Sequence, residues 1–308
     1  DGACPISGIA DLATEYGMGS VAITDHGYLG GALDFYMKMN KKKVKPIIGI
    51  ETYVSPTNRF DKDNSNGDIR GFHLILLAEN FTGYQNLCRL ATSSVLEGFY
   101  YNPRIDKEIL ASHSKGLIGM SACLSGEIAR AIQHNRIKDA KKILSQYLDI
   151  FGKDNFYLEI MEHGIAEQKI VNREMVLLSR EFGIPLVATN DVHYLKKEHA
   201  YSHELMLCIQ THSIVSDEKR MKMHGDQFYF KSGDEMAAVF PELPEALKNT
   251  LAVAEKCNVE IPLTNVNHYP VYQVDAGQTQ KDVLRRICID NMVERYGFDA
   301  SDETRLDE

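Results

Sequence analysis

Short apolar runs with a histidine, carboxylate or cysteine at or near one end constrain this chain more than any other feature. Residues 20–24 read as a buried strand and give way to Asp25-His26-Gly27. Residues 46–54 form a second run with Glu51 inside it, and 72–78 a third, with His73 near its start. The run 116–122 precedes Cys123, 155–161 is a further strand, and 184–190 precedes Asp191 and His193. Between them lie stretches with helical spacing of apolar residues: 6–16 (stopped by Gly17), 33–42, around 84–95, two across 127–151, then 166–182 and 196–212. Strands alternating with helices predict parallel β/α architecture. One layer of crossover helices favours a closed barrel over an open sheet. The polar stretch 58–71, rich in Asp, Asn and Gly, reads as a mobile loop.

Barrels of this kind carry their active sites at the C-terminal ends of the strands. His26, Glu51, Cys123, Asp191 and His193 fall at or near such ends, and His73 is the exception, at the start of its run. Imidazole, carboxylate and thiolate groups suit Zn²⁺, Mn²⁺ or Fe²⁺. Such ions activate water and neutralise charge on a phosphate ester under attack. Each residue alone has a plainer reading: His26 as a hydrogen-bonded loop residue, His73 and Cys123 as core residues. Glu51 is harder to set aside, because a buried carboxylate without a partner is costly. Asp191 and His193 alternate in an extended segment and so point to one side. Recurrence at several strand ends favours a shared metal site.

Net charge is −9, which argues against a stand-alone grip on duplex DNA, where affinity comes from Lys and Arg. Nucleic acid would need a larger assembly to deliver it, or bound cations to reverse the local charge. Six cysteines lie scattered without a CxxC pair, which predicts free thiols in a reducing compartment, the cytoplasm. No apolar run approaches the ~18 residues that span a bilayer, so no membrane role is expected. The opening Asp-Gly-Ala-Cys-Pro is not a signal peptide, and the closing Asp-Glu-Thr-Arg-Leu-Asp-Glu reads as the interior of a longer protein. Beyond residue 213 the rhythm changes to more polar helices at 235–240, 244–258 and 281–296.

Ile-Thr-Asp-His-Gly (23–27), Lys-Pro-Ile-Ile-Gly-Ile-Glu (45–51) and Phe-His-Leu-Ile-Leu-Leu-Ala (72–78) resemble the early metal motifs of PHP domains. Ser-Ala-Cys-Leu-Ser-Gly-Glu (121–127), Asn-Phe-Tyr-Leu-Glu-Ile (155–160) and Ala-Thr-Asn-Asp-Val-His-Tyr (188–194) are similar to the PHP domain of bacterial DNA polymerase III alpha subunits. Tyr-Asn-Pro-Arg-Ile-Asp (101–106) and Phe-Pro-Glu-Leu-Pro-Glu-Ala-Leu-Lys-Asn-Thr (240–250) fit the same subfamily. The resemblance implies an α/β fold, a distorted (βα)₇ barrel related to the TIM barrel, with a helical C-terminal extension toward a polymerase palm. The resemblance also implies a first strand with a His-x-His pair, to which nothing in the given sequence corresponds.

Metal ligands are implied at Asp1, His26, Glu51, His73, Cys123, Asp191 and His193, holding up to three divalent ions (Zn²⁺, Mn²⁺, Fe²⁺ or Mg²⁺), with Asp191 and His193 as the catalytic pair. The implied organisation is a barrel over 1–212, its end and a connector over 213–275, and the start of the palm region over 276–308. The implied activity is a 3′–5′ exonuclease or phosphoesterase inside a DNA-directed DNA polymerase whose nucleotidyl-transfer carboxylates lie beyond Glu308. The primer 3′ end, a proofreading exonuclease subunit and a sliding clamp are the implied partners. Two other readings stand beside it: a metal-stabilised scaffold without catalysis, and a free-standing phosphatase of the histidinol-phosphate type, against which the palm-like segment 281–296 argues. Arg104 reads as a loop arginine, with a phosphate contact as the alternative, and His163 as a candidate to line the cleft.

Overall fold

Alternation along the strands explains both the core and the position of the polar cluster. The computed structural model describes residues 2–62, 70–263 and 270–297. The chain divides into two compact units, Asp1–Ile261 and Pro262–Glu308. In the first, α1 (Ile6–Glu15), β1 (Ser20–Ile23), α2 (Ala32–Lys41), β2 (Lys45–Val54) and β3 (Phe72–Ala78) are followed by α3 (Phe81–Leu96), β4 (Arg104–Ile105) and α4 (Lys107–Ser112). Then come β5 (Leu117–Met120), α5 (Glu127–Gln133), α6 (Ile137–Phe151), β6 (Phe156–Ile160), α7 (Ala166–Phe182), β7 (Leu186–Ala188), α8 (Ala200–Gln210), α9 (Gly233–Val239) and α10 (Pro244–Lys256). Among the described residues of the second unit there is one helix, α11 (Gln280–Tyr296), opened by reciprocal bonds between Thr279 and Asp282.

The strands run in the order β1-β2-β3-β5-β6-β7, a mixed sheet curled into a half-barrel, with the two-residue β4 added to the end of β2. Sequence rhythm predicts parallel strands throughout, yet β3 is antiparallel to both β2 and β5. The cause lies in the connection: no helix joins β2 to β3 among the described residues, and a parallel return needs a long crossover. Within the loop predicted over 58–71, residues 63–69 lie outside the described residues. The long helix predicted over 196–212 is a single 3₁₀ turn at Lys197–His199 followed by α8.

Each strand sorts its residues to two faces. On β3, Leu74, Leu76 and Ala78 join the larger core against the helices, where Phe35, Leu87, Leu144 and Tyr147 sit. Ile75 and Leu77 face the concave side with Ile47, Ile118, Met120, Tyr157 and Val187, closed by Val253, Ala254 and Cys257 of α10. Lys45 donates to the Ala254 carbonyl and Asn249 to that of Leu186, fixing α10 against the sheet. The same alternation carried toward the other end of the strands turns Glu51 and Tyr53, His73, and Glu159 to this concave face.

Beyond β2 the chain is anchored to the start of α4. Asp106 caps that helix by accepting from the Ile109 amide at 2.9 Å, and it accepts from the backbone and guanidinium of Arg59 at 2.8 and 3.1 Å. Burial pushes this carboxyl up, but those hydrogen bonds outweigh it and hold the group below the ordinary carboxylate value. A lowered folded-state value means stability that is complete above the unfolded value of about 4 and is lost as pH falls through the folded one. Asp106→Asn is therefore expected to flatten the acid limb of Tm against pH. An acid limb as steep as that of the wild type would contradict this assignment.

Candidate metal centre

His26 follows β1, but the ladder with β2 continues past the strand end. The Gly27 amide donates to the Glu51 carbonyl at 2.8 Å and the Glu51 amide to that of Asp25 at 3.0 Å, setting His26 beside Glu51. Gly27 turns the chain there at φ +61°, a conformation suited to glycine. On the other side of β2, Glu51 pairs with Ile75 and Tyr53 with His73. Directly opposed residues share a face, so His73 is the diagonal neighbour of Glu51. Nδ1 of His73 lies 2.6 Å from Glu51 Oε1, and Nδ1 of His26 lies 3.5 Å from Glu51 Oε2. The three residues each offer a ligand atom within 4.8 Å of one another. Tyr53 packs on both imidazoles, with ring centroids 5.6 Å from His26 and 5.2 Å from His73.

The antiparallel direction of β3 explains why His73 sits at the start of its strand. That start lies at the same end of the sheet as the C-terminal ends of β2 and β5. The His73 amide donates to the Ser125 carbonyl at 3.1 Å, drawing the loop after β5 alongside. Cys123 Sγ thereby comes within 3.5 Å of His73 Nδ1, and it accepts from the Ser125 amide. Asp191 turns at φ +45° after β7. His193 Nδ1 donates to the Asp191 carbonyl at 2.8 Å and lies 3.8 Å from Asp191 Oδ1. A carbonyl can only accept, so Nδ1 carries a hydrogen.

Among the described residues, then, the closest set of donors is His26, Glu51 and His73, with Cys123 touching His73. Asp191 and His193 stand outside that set, yet their charges act on His26, Glu51 and His73. Asp1 lies outside the described residues.

Burial dominates the electrostatics. Glu51 is 6% exposed; burial first, and then Asp191, raise its carboxyl to about 7, while His26 and His193 pull it down. Burial lowers the His73 imidazole to about 4 and pushes the Cys123 thiol well above its ordinary value. A carboxylate withdrawn from water toward two imidazoles has good reason to hold a cation, which restores its charge and takes up nitrogen lone pairs without protonating them. One carboxylate, two imidazoles and an adjacent thiol fit a divalent ion of the Zn²⁺, Mn²⁺ or Fe²⁺ type.

Two sequence readings are corrected by burial. Arg104 is 2% exposed and donates to the carbonyls of Gly98 and Asp61 at 3.1 and 2.6 Å, so it is neither a surface loop arginine nor a phosphate contact. His163 is 2% exposed, with Nε2 on the Asn190 carbonyl at 2.8 Å and Nδ1 on Gln168 at 2.7 Å. Both nitrogens are engaged, and the ring stacks on Phe228 at 4.0 Å. It braces the turn before Asp191.

Sequence reasoning missed Tyr53, Glu159 and Lys231. Lys231 is buried, bonded to Asn190 Oδ1 at 3.0 Å, and burial lowers its amine to about 8. Glu159 is 4% exposed; burial raises its carboxyl to about 8 against hydrogen bonds from Thr189 and Ala122. Its signal was present in the sequence: like Glu51, it is an acid placed in an apolar strand.

Residues 1–163 match the PHP domain family model. DNA polymerase III subunit alpha of Borreliella burgdorferi is 49% identical over 298 residues, covering 96% of this chain and 26% of that protein. The same subunit of Thermus aquaticus is 44% identical over 283 residues, covering 90% of this chain and 23% of that protein. The chain thus spans about a quarter of the length of these curated relatives. Among solved structures, a protein from Bifidobacterium adolescentis assigned as a metal-dependent phosphoesterase aligns with a TM-score of 0.43 at 12% identity, over 63% of this chain and 84% of that one. The chain therefore belongs to the PHP domain family, and the relatives matching nearly its whole length are DNA polymerase III alpha subunits.

Proposed function

We propose that this chain is the N-terminal PHP region of a replicative DNA polymerase III alpha subunit. In this reading its metal centre is a phosphoesterase that trims the primer 3′ end. The observation that carries the reading is the meeting of His26, Glu51 and His73 within 4.8 Å. The relatives support the replicative context. His26, Glu51, His73, Cys123, Asp191 and His193, with Asp1 added by family resemblance, are the residues that hold up to three divalent ions. Ions of this class polarise a phosphodiester, lower the pKa of water and balance charge at the phosphorus.

The protein's own groups supply the rest. Glu51 presents its two oxygens in different directions, toward His73 and toward His26. His193 is oriented by the bond from its Nδ1 to the Asp191 carbonyl, which directs the imidazole as a ligand for an ion. Tyr53 and the two imidazoles wall one side of the site. With a net charge of −9, the chain relies on bound cations and on the rest of the polymerase to bring in the DNA strand. The proofreading exonuclease subunit and the sliding clamp are its proposed neighbours, and the cytoplasm its compartment. No helix among the described residues is long and apolar enough to cross a membrane.

The test uses a primer with a mispaired, labelled 3′ end and metal-replete protein. Release of the terminal nucleotide is expected to fall roughly 100-fold or more in Asp191→Ala. Undiminished release by that variant removes catalysis from this centre. No release by the wild type, with metal still raising Tm, would leave the scaffold reading.

A further inference from the structure

Glu159 stands on β6, between β5 and β7, with both of its carboxylate oxygens in use. Oε2 accepts from the Ala122 amide at 2.5 Å, and Oε1 accepts from the Thr189 hydroxyl at 2.8 Å. Ala122 directly precedes Cys123, and Thr189 lies two residues before Asp191. The Glu159 amide also donates to Ser121 Oγ at 2.8 Å, a third tie to the loop after β5. Both loops contain a non-glycine residue in the left-handed region, Ala122 at φ +59° and Asp191 at φ +45°. Such residues keep that conformation only when the surroundings hold them.

We propose that Glu159 is the positioning residue of this centre: one buried carboxylate fastens the loop carrying Cys123 to the loop carrying Asp191 and His193. The inference rests on reading the centre as a metal site, and it extends that reading to what sets the spacing between ligands from different strands. Glu159 acts through the two loops: each oxygen accepts a hydrogen bond from one of them, and the residue is outside the close donor set among the described residues. Groups that orient metal ligands typically change affinity by about 10- to 100-fold when removed.

Hydrogen bonding sets the expected order of variants. In Glu159→Gln the amide oxygen still accepts from Ala122 and the amide nitrogen donates to Thr189, whose hydroxyl can accept. In Glu159→Leu both ties are lost at similar volume. Two readouts on the full-length protein decide the matter. Co²⁺ titration, followed by the near-ultraviolet absorption of a thiolate bound to cobalt, is expected to show about a 10- to 100-fold loss of affinity for Glu159→Leu. Glu159→Gln should stay close to wild type.

Amide hydrogen exchange on metal-free protein should rise at 121–123 and at 189–193 in Glu159→Leu and at neither in Glu159→Gln. Should Glu159→Leu fail to fold, Thr189→Val removes one tie alone. It is expected to speed exchange at 189–193 only, with a smaller loss of Co²⁺ affinity. The proposal is overturned if the leucine or valine variant leaves both readouts unmoved. It is also overturned if Glu159→Gln loses affinity as fully as leucine does without faster exchange, because the negative charge would then be what matters. A wild type that takes up no Co²⁺ overturns the metal reading instead, and the exchange data still decide whether Glu159 joins the loops.

Discussion

Replacing Glu51 with alanine is expected to weaken Zn²⁺ or Mn²⁺ binding by more than about 100-fold, beyond the usual effect of removing a group that merely orients a ligand. Glu51 faces both imidazoles, Oε1 toward His73 and Oε2 toward His26, so its loss removes two of the three pairs in the cluster and its one carboxylate. Thermal scans provide the second measure. An ion at a hundred times its Kd stabilises the native state by about 2.7 kcal/mol. For a unit of this size that raises Tm by roughly 5–10 °C. This increment should vanish in Glu51→Ala and in Glu51→Gln.

The glutamine variant separates ligand loss from folding damage. Without metal, a carboxylate 6% exposed bears the desolvation cost of its charge, and the amide does not. Metal-free Glu51→Gln should therefore melt no lower than metal-free wild type. Calorimetric titration showing wild-type affinity in Glu51→Ala would remove this cluster as the site.

Glu51 was legible because a charge inside Pro-Ile-Ile-Gly-Ile-Glu breaks an apolar run and demands a partner. The partner was not legible from periodicity alone. His73 sits at the start of its run, and only the reversal of β3 brings that start to the ends of β2 and β5. Reversal goes with a β2–β3 connection that holds no crossover helix among its described residues, a property of the connection and not of the strand residues.

β4 and α4 escaped notice because a two-residue strand and a six-residue helix carry too little periodicity to register. Arg104 was misjudged for a related reason. Its sequence neighbourhood, Tyr-Asn-Pro-Arg, has the composition of a turn, while its burial comes from α3 and from residues 59–61, more than forty positions away in the chain. Glu159 shows the opposite case. An acid in Phe-Tyr-Leu-Glu-Ile gave the same signal as Glu51, but whether such an acid meets a metal or a backbone amide depends on which loops flank the strand. Here Ala122 and Thr189 take it.

Among the described glycines of the first unit, Gly98→Ala is expected to be the most disruptive, lowering stability by about 4 kcal/mol or more, the range reserved for direct damage to packing or a buried network. A Cβ at Gly98 would stand 1.8 Å from the Arg104 carbonyl oxygen and 2.9 Å from its carbon, with Ser94 O at 3.2 Å on the other side. All three are backbone atoms, so no rotamer change gives relief, and the end of α3 must part from β4. That movement also breaks the bond from Arg104 Nε to the Gly98 carbonyl, and it disturbs the donation from Arg104 to Asp61 O that holds the segment following β2.

Gly17→Ala is the control. Gly17 is left-handed at φ +65°, and a methyl group added there would meet no atom within 4 Å, so only backbone strain of about 1–2 kcal/mol is expected. Arg104→Met, which keeps bulk but leaves the carbonyls of Gly98, Arg59 and Asp61 without this donor, should fall between the two. Denaturant melts of the three variants test this order. If Gly98→Ala costs no more than Gly17→Ala, α3 and β4 are not locked together, and the frame that carries the end of β2 with Glu51 and Tyr53 owes its rigidity to something else.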